Sequence, residues 1–342
     1  MPVASHAAYA EMIDRAKSGR FAYPAINVMS SETLHAALRG FAEAGSDGII
    51  QITLNSAGFW SGDSIRDKVH GATAFAEFAR AVAARYPTTV ALHTDHCTGK
   101  DYADFLPPLI AASRDRVRGT GEPLFQSHMW DGSALPLERN LQIADELLTT
   151  SAAANVLLEL EIGVVGEKAD GLSGVADAKL YSTPQDALRT AEVLGLGERG
   201  RYLLAAAFGN VHGIYQPGNV KLRPGVLGEI QQTVGRRVDR ERPFDLVFHG
   251  GSGSTLADIH DAIGHGVVKM NIDTDTMYAF TRPIAHHMLA NYHRVLRIDG
   301  HTPEKETFHP RSYLQEAEKS MAERVAQACQ DLKSAGNALV AA

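Results

Sequence analysis

Short apolar runs of strand length recur along the chain with amphipathic stretches between them, the alternation of a parallel α/β protein rather than of a β-sandwich. Eight runs stand out: Tyr23–Ile26, Gly48–Ile52, Thr89–Leu92, Pro123–Gln126, Asn155–Leu160, Tyr202–Ala206, Phe244–Phe248 and Gly266–Met270. Their near-continuous hydrophobicity suits strands covered on both faces. Between them, Ser31–Ala44, Ile65–Arg85, Leu137–Thr150 and Pro184–Leu194 read as helices, with Ser, Thr or Asp near their starts as N-caps. Eight such units in about 275 residues predict an α/β fold, a (β/α)₈ TIM barrel. A doubly wound sheet would carry a Gly-rich turn after its first strand, and none is present.

The length of 342 residues allows one domain or two at roughly 150 residues each. No linker, repeat or compositional shift divides the chain. A single barrel domain over 1–342 is therefore expected, with 274–342 including a helical C-terminal extension that carries Arg282, Arg294, Arg297 and Arg311.

Reactive groups of such barrels gather after the C-terminal ends of the strands. Polar residues follow strand after strand here: Asn27, Thr53, Asp95 and His96, His128 and Asp131, Glu161, Asn210 and His212, His249, and Asn271 with Asp273. Three of the histidines, His96, His212 and His249, stand past three different strands. Three neutral imidazoles converging on one mouth would make a catalytic zinc site with an open position, although any one alone reads as an ordinary hydrogen-bonding histidine.

Composition narrows the chemistry. A hydrophobic share of 44% with 21% charged residues describes a packed chain, not a disordered one. The 40 acidic against 33 basic residues give a net charge of −7, which argues against dominant contact with nucleic acid or anionic lipid. Only Cys97 and Cys329 are available as thiols, so a metal would be held by imidazole and carboxylate. Neither a signal-peptide pattern nor an apolar run of about 18 residues occurs, so the expected setting is cytoplasmic, away from membranes.

Asp131 and Glu161 could hold a second cation, orient a ligand histidine, or pair with Lys or Arg as buried carboxylates. Glu159 shares strand parity with Glu161, so both can point into the barrel. Asp95 could exchange a proton with a substrate oxygen or cap a helix. The glycine-rich turn Gly250-Gly251-Ser252-Gly253-Ser254 and the following Asn271-Ile272-Asp273-Thr274 suit a phosphate, since unhindered backbone N–H groups can surround an oxyanion. Lys269 lies on the face of Asn271 and Asp273, where a Schiff base with a carbonyl substrate is an alternative mechanism.

The sequence resembles the class II, metal-dependent fructose-bisphosphate aldolases of the long-chain bacterial type. The resemblance runs nearly end to end, through Tyr23-Pro24-Ala25-Ile26-Asn27, His93-Thr94-Asp95-His96-Cys97, Ser127-His128-Met129-Trp130-Asp131-Gly132-Ser133, Glu159-Leu160-Glu161-Ile162-Gly163, Phe208-Gly209-Asn210-Val211-His212-Gly213, Phe248 to Ser254, Lys269 to Thr276 and Pro310-Arg311-Ser312-Tyr313. It implies His96, His212 and His249 as ligands of a catalytic Zn²⁺, Asp131 and Glu161 at a second cation, divalent or monovalent, and Asp95 as proton donor. It implies that Gly213, Gly250, Gly251, Ser252, Asn271, Asp273 and Thr274 hold dihydroxyacetone phosphate, and that Asn27, Thr53 and Arg311 meet the rest of the bisphosphate. In the family the arginine comes from a neighbouring subunit, so a homodimer or higher homo-oligomer is implied.

The implied reaction is reversible cleavage of fructose 1,6-bisphosphate, a small sugar phosphate, to dihydroxyacetone phosphate and glyceraldehyde 3-phosphate through a zinc-stabilised enediolate. Two departures from the family pattern stand out. The mobile loop, which carries two adjacent glutamates in the family, here reads Gly166-Glu167-Lys168-Ala169-Asp170-Gly171. Lys168 and Ala169 occupy the acid positions, leaving Glu167, or alternatively Asp170, as the candidate base for the C3 proton. Thr53-Leu54-Asn55-Ser56 stands where the family has Ser followed, one residue on, by Gly-Gly. Both leave open an aldolase with a different acceptor aldehyde, or a sugar-phosphate-binding barrel of low activity.

Overall fold

A computed structural model describes residues 2–163, 181–210, 222–296 and 302–339. Eight parallel strands close into a barrel in sequence order: β1 (Tyr23–Asn27), β2 (Gly48–Thr53), β3 (Val90–Thr98), β4 (Ser127–Asp131), β5 (Leu157–Ile162), β6 (Tyr202–Ala206), β7 (Leu246–Phe248) and β8 (Val267–Ile272). The predicted (β/α)₈ architecture is the observed one, and the sixth run coincides with its strand. The fourth does not: Pro123–Gln126 is the approach to β4, and the strand itself carries Ser127 to Asp131. The third strand runs on through Asp95 and His96 to Thr98.

Alternation sorts the side chains. Leu158, Leu160 and Ile162 of β5 face the outer core under the helices, as do Leu204 of β6 and Phe248 of β7. Tyr23, Ala25, Ile49, Ala91, Leu157, Leu203, Ala205, Val247 and Val268 form a separate inner cluster at the N-terminal end of the barrel. That end is stoppered by α1 (His6–Gly19), which buries Tyr9, Met12, Ile13 and Ala16 into the same cluster. Ser5 starts the helix by accepting from Ala8 N–H, and Arg20 ends it in the left-handed region. With one end sealed by apolar packing, solvent and substrate have the C-terminal mouth.

The helices α2 (Ser31–Ala44), α3 (Leu54–Trp60), α4 (Lys68–Ala83), α5 (Tyr102–Thr120), α6 (Leu137–Ala152), α7 (Pro184–Leu194), α8 (Gly225–Val238) and α9 (Leu256–Gly264) follow the first seven strands. The eighth connection differs. After β8 the chain enters α10 (Thr274–Ala290), passes α11 (Tyr292–Val295) and α12 (Lys305–Phe308), and returns in α13 (Pro310–Asp331). Arg324 pairs with Asp275 at 3.2 Å, while His287 lies against the Tyr313 ring with centroids 5.7 Å apart, so α10 and α13 are antiparallel. The far end of α13 reaches the barrel's N-terminal side, where Leu332 C=O accepts from Ala22 N–H at 3.1 Å. The opposite ends of the two helices therefore extend past the mouth as a hairpin. This is the C-terminal helical extension expected from the sequence.

Candidate metal centre and active site

The site begins with an irregularity in β3. Thr94 pairs with His128 and Cys97 with Trp130, so Asp95 and His96 together oppose one residue of β4. This is a β-bulge, which bends the strand and re-aims a side chain. His96 takes the left-handed conformation at φ 42°, a conformation that costs a non-glycine residue energy and persists where its surroundings hold it. Consecutive residues of a regular strand point to opposite faces; here His96 Nε2 lies 3.9 Å from Asp95 Oδ1.

The His96 ring is oriented by Asp131, whose Oδ2 is 3.1 Å from Nδ1. Asp131 is itself fixed by Ser133, whose N–H and Oγ–H donate to Oδ1 at 3.1 and 2.6 Å. His249, fully buried just past β7, has Nδ1 3.0 Å from Glu161 Oε2 and Nε2 2.8 Å from Glu159 Oε1. Its backbone carbonyl accepts from Asn210 Nδ2 at 2.9 Å, which ties the ends of β6 and β7 together. The rings of His96 and His249 lie 4.8 Å apart. His96, Glu161 and His249 each offer a ligand atom within 4.8 Å of the others. Asp131 stands outside this group as the partner of His96.

Asp95 is buried, and both oxygens accept from amides: Asn27 Nδ2 at 3.0 Å and Asn271 Nδ2 at 3.1 Å. Gln51 Nε2 donates to Asn27 Oδ1 at 2.6 Å. Lys269 donates to Asn271 Oδ1 at 2.7 Å and to both oxygens of Glu159 at 3.1 and 2.8 Å. This fully buried Nζ is committed to three oxygen acceptors, two on Glu159 and one on Asn271, so no contact turns it towards a substrate carbonyl. The site therefore offers no support for Schiff-base chemistry at Lys269.

Electrostatics distinguishes these groups. Burial opposes ionisation of Asp95, but His96, Lys269, His249 and His93 outweigh it and hold the carboxyl below its usual range. Burial likewise opposes ionisation of Glu159, and Lys269, His93 and His249 more than offset it. Burial lowers both site imidazoles, yet Asp95, Asp131 and Glu161 push His96 up to about 10. His249 is raised by its bonds to Glu159 and Glu161. Four carboxyl groups thus face one ammonium and two imidazoles, one more acidic group than basic partners. The donor set, imidazole nitrogen plus carboxylate oxygen, is one that zinc accepts.

The other candidates fall into distinct places. Thr53 caps α3, accepting from Ser56 N–H at 3.1 Å. Gly250 takes φ +62°, and a Cβ on Gly251 would lie 2.0 Å from Met270 Cε, so a side chain there would require Met270 to move. Ser252 is buried, and Asp273 and Thr274 stand where β8 gives way to α10. His128 is not part of the mouth: it is fully buried, with Nδ1 2.8 Å from Thr94 Oγ1 and its ring against Phe125. Burial pushes it down to about 3. Arg311 lies on the hairpin, and His212, Gly213 and Glu167, with Lys168, Ala169, Asp170 and Arg297, lie outside the described residues. Glu159 and Lys269 were visible in the sequence; their shared contact to the site was not, because it spans the barrel from β5 to β8.

Fold and donor set together define a (β/α)₈ barrel with a candidate metal centre in its mouth. Residues 7–337 match the family described as "Fructose-bisphosphate aldolase class-II". A fructose-bisphosphate aldolase of Streptomyces galbus is 58% identical over 337 residues, 98% of this chain and 99% of that one. One from Mycobacterium tuberculosis is 55% identical over 342 residues, 99% of each. The crystal structure of the Campylobacter jejuni fructose-bisphosphate aldolase superposes with a TM-score of 0.86 at 36% identity, covering 98% of this chain and 96% of that one. The chain belongs to the class II fructose-bisphosphate aldolase family, a family of carbon–carbon lyases generally dependent on a divalent metal.

Proposed function

We propose that the protein cleaves fructose 1,6-bisphosphate reversibly into dihydroxyacetone phosphate and glyceraldehyde 3-phosphate at this mouth, with Zn²⁺ held by His96, His249 and His212. The observation that carries this reading is the convergence of His96, Glu161 and His249 under a surplus of carboxylates. When bound, zinc supplies a Lewis acid for the negative charge that develops on the ketone side of the breaking bond. The chain's own residues do the rest. Asp131 keeps the His96 ring turned, and Glu161 lines the same centre, beside which a second cation is assigned with Asp131.

Asp95, locked by two amides, moves the proton at the C4 oxygen. Glu167 is assigned the C3 proton. The Gly250–Ser252 turn, with Gly213, Asn271, Asp273 and Thr274, is the phosphate end of the donor half. Asn27 and Thr53 face the other half. Asn27 and Asn271 already hold Asp95, so substrate contact and acid positioning share the same amides.

Arg311 is assigned to the second phosphate of a neighbouring subunit's substrate. Arg324 marks the level of the barrel rim through Asp275, and Arg311 lies about 20 Å farther along α13 at 1.5 Å per residue. It is exposed, beside Lys305 and His309, and the same hairpin exposes Leu289, Tyr292, Leu296 and Phe308. These features support a homodimer or higher oligomer in which the hairpin meets another copy. Arg311→Ala and Asp95→Ala, each nearly inactive alone, should regain activity when mixed and re-equilibrated, because one hybrid site then has both groups. Cleavage assays on the mixture check this; no recovery places Arg311 elsewhere.

The described residues contain no helix long and apolar enough to cross a membrane, and both cysteines are buried and free. These features fit work on a dissolved sugar phosphate in a reducing, cytoplasmic setting. Assaying fructose 1,6-bisphosphate cleavage before and after EDTA, and again with zinc restored, tests the central reading. Loss and recovery of at least about 10³-fold is expected from several kcal/mol of Lewis-acid stabilisation. EDTA-resistant turnover would defeat it, and efficient condensation only with other aldehydes would move the acceptor.

A further inference from the structure

The interior of the barrel between the apolar floor and the mouth is polar, and it is wired in one direction. Glu159 and Lys269 are completely buried, where an ion pair recovers its desolvation cost only with excellent geometry and further hydrogen bonds. Replacing such a pair with apolar side chains is often neutral or stabilising, so fold stability alone does not call for it. Both partners reach upward to residues of the site: Glu159 to His249 Nε2, at 2.8 Å, and Lys269 to Asn271 Oδ1, at 2.7 Å.

Donor and acceptor chemistry fixes what these contacts specify. A lysine ammonium only donates, so the Asn271 atom facing it is the oxygen. The amide nitrogen is then turned to Asp95, whose carboxylate only accepts, at 3.1 Å. Each His249 nitrogen faces a carboxylate, Glu159 at Nε2 and Glu161 at Nδ1; because Glu161 belongs to the metal-binding group and Glu159 is instead paired with Lys269, a proton kept on Nε2 by Glu159 leaves Nδ1 as the lone pair turned to the metal centre. Without Lys269, Asn271 could flip and Glu159 would be a buried charge with one fewer counter-charge.

We propose that Lys269 is a positioning residue: it holds in place Glu159, the acceptor that selects the nitrogen His249 presents to the metal, and through Asn271 it fixes the amide that holds Asp95. This rests on the metal-centre reading given above. It assigns one buried cation to two tasks at opposite sides of the reacting bond, metal-ligand orientation and proton-donor placement. Neither task involves Lys269 touching substrate.

Two charge-neutral double variants separate the tasks. In Glu159→Gln with Lys269→Met, the glutamine carbonyl still accepts from His249 Nε2, while Asn271 loses its lock. The zinc dissociation constant, read by competition with a chromophoric chelator, should stay within about threefold of wild type, whereas kcat at saturating zinc falls about tenfold with KM nearly unchanged. In Glu159→Leu with Lys269→Met, His249 also loses its acceptor, and the zinc dissociation constant should rise about 10- to 100-fold. Equal zinc affinity in wild type and the folded leucine variant would overturn the proposal. So would equal losses in both variants, which would make the effect one of charge rather than orientation.

Should neither variant fold, ¹⁵N-histidine spectra of zinc-loaded wild type decide the matter. His249 protonated at Nε2 and metallated at Nδ1 supports the proposal; the reverse overturns it. A wild-type protein that binds no zinc defeats the metal reading and the inference with it. Zinc bound with the wrong tautomer defeats the inference alone.

Discussion

Replacing His249 with alanine should abolish stoichiometric zinc binding and lower cleavage of fructose 1,6-bisphosphate by about 10³- to 10⁴-fold, the worth of several kcal/mol of lost Lewis-acid stabilisation. The imidazole contacts both Glu159 and Glu161. Its removal leaves those carboxylates facing each other across a cavity rather than across a ligand. Metal content after dialysis and cleavage rate together check the expectation; retained zinc with full activity would remove His249 from the centre. Wild-type calorimetry gives a companion result. His96 is pushed up to about 10 and His249 is raised as well, so His96 carries a proton at neutral pH that zinc must displace. Proton release should therefore appear as a dependence of the binding heat on buffer ionisation enthalpy. Apparent zinc affinity should climb from pH 6 towards 9 and fall as protons return to the rings.

The barrel was legible because its outer strand faces are continuous apolar runs, and hydrophobic alternation survives any detail of the site. Where chemistry intrudes, legibility fails in a physical way. His93, Thr94, Asp95 and His96 end the apolar run of β3 at Leu92, so the sequence places the strand's end before them, although the strand continues through all four with a bulge at Asp95 and His96. His128 is polar and near a strand end, yet alternation within the true β4 turns it to the outer core against Phe125. The plugging role of α1 depends on packing against inward residues from seven strands, which no local window contains. The same holds for Glu159 and Lys269. Strand parity places each on an inward face, but the pairing across the barrel lumen that joins them lies outside any local window. The extension was legible as helix, but its hairpin geometry, and hence the remoteness of Arg311 from the rim of its own barrel, required the Arg324–Asp275 contact.

Asp95→Ala should lower kcat for cleavage by about 10²- to 10⁴-fold, the usual contribution of a positioned proton donor, while zinc stoichiometry is kept. The separation follows from geometry. Both Asp95 oxygens are engaged by amides, from Asn27 and Asn271, and the carboxylate lies 3.9 Å from His96 Nε2, beside the metal centre and not within its donor set. If Asp95 serves the C4 oxygen, exchange of the C3 proton of dihydroxyacetone phosphate with solvent should survive the substitution, because that step involves no C4. Glu167→Ala should give the opposite pattern, suppressing exchange along with cleavage. Isotope exchange measured beside cleavage in the two variants therefore assigns the two proton transfers. Loss of exchange in Asp95→Ala would place Asp95 at C3 and leave the C4 oxygen to another group. Retention of exchange in Glu167→Ala would show that the loop, with Lys168 and Ala169 in place of its paired acids, has passed that proton to a different residue.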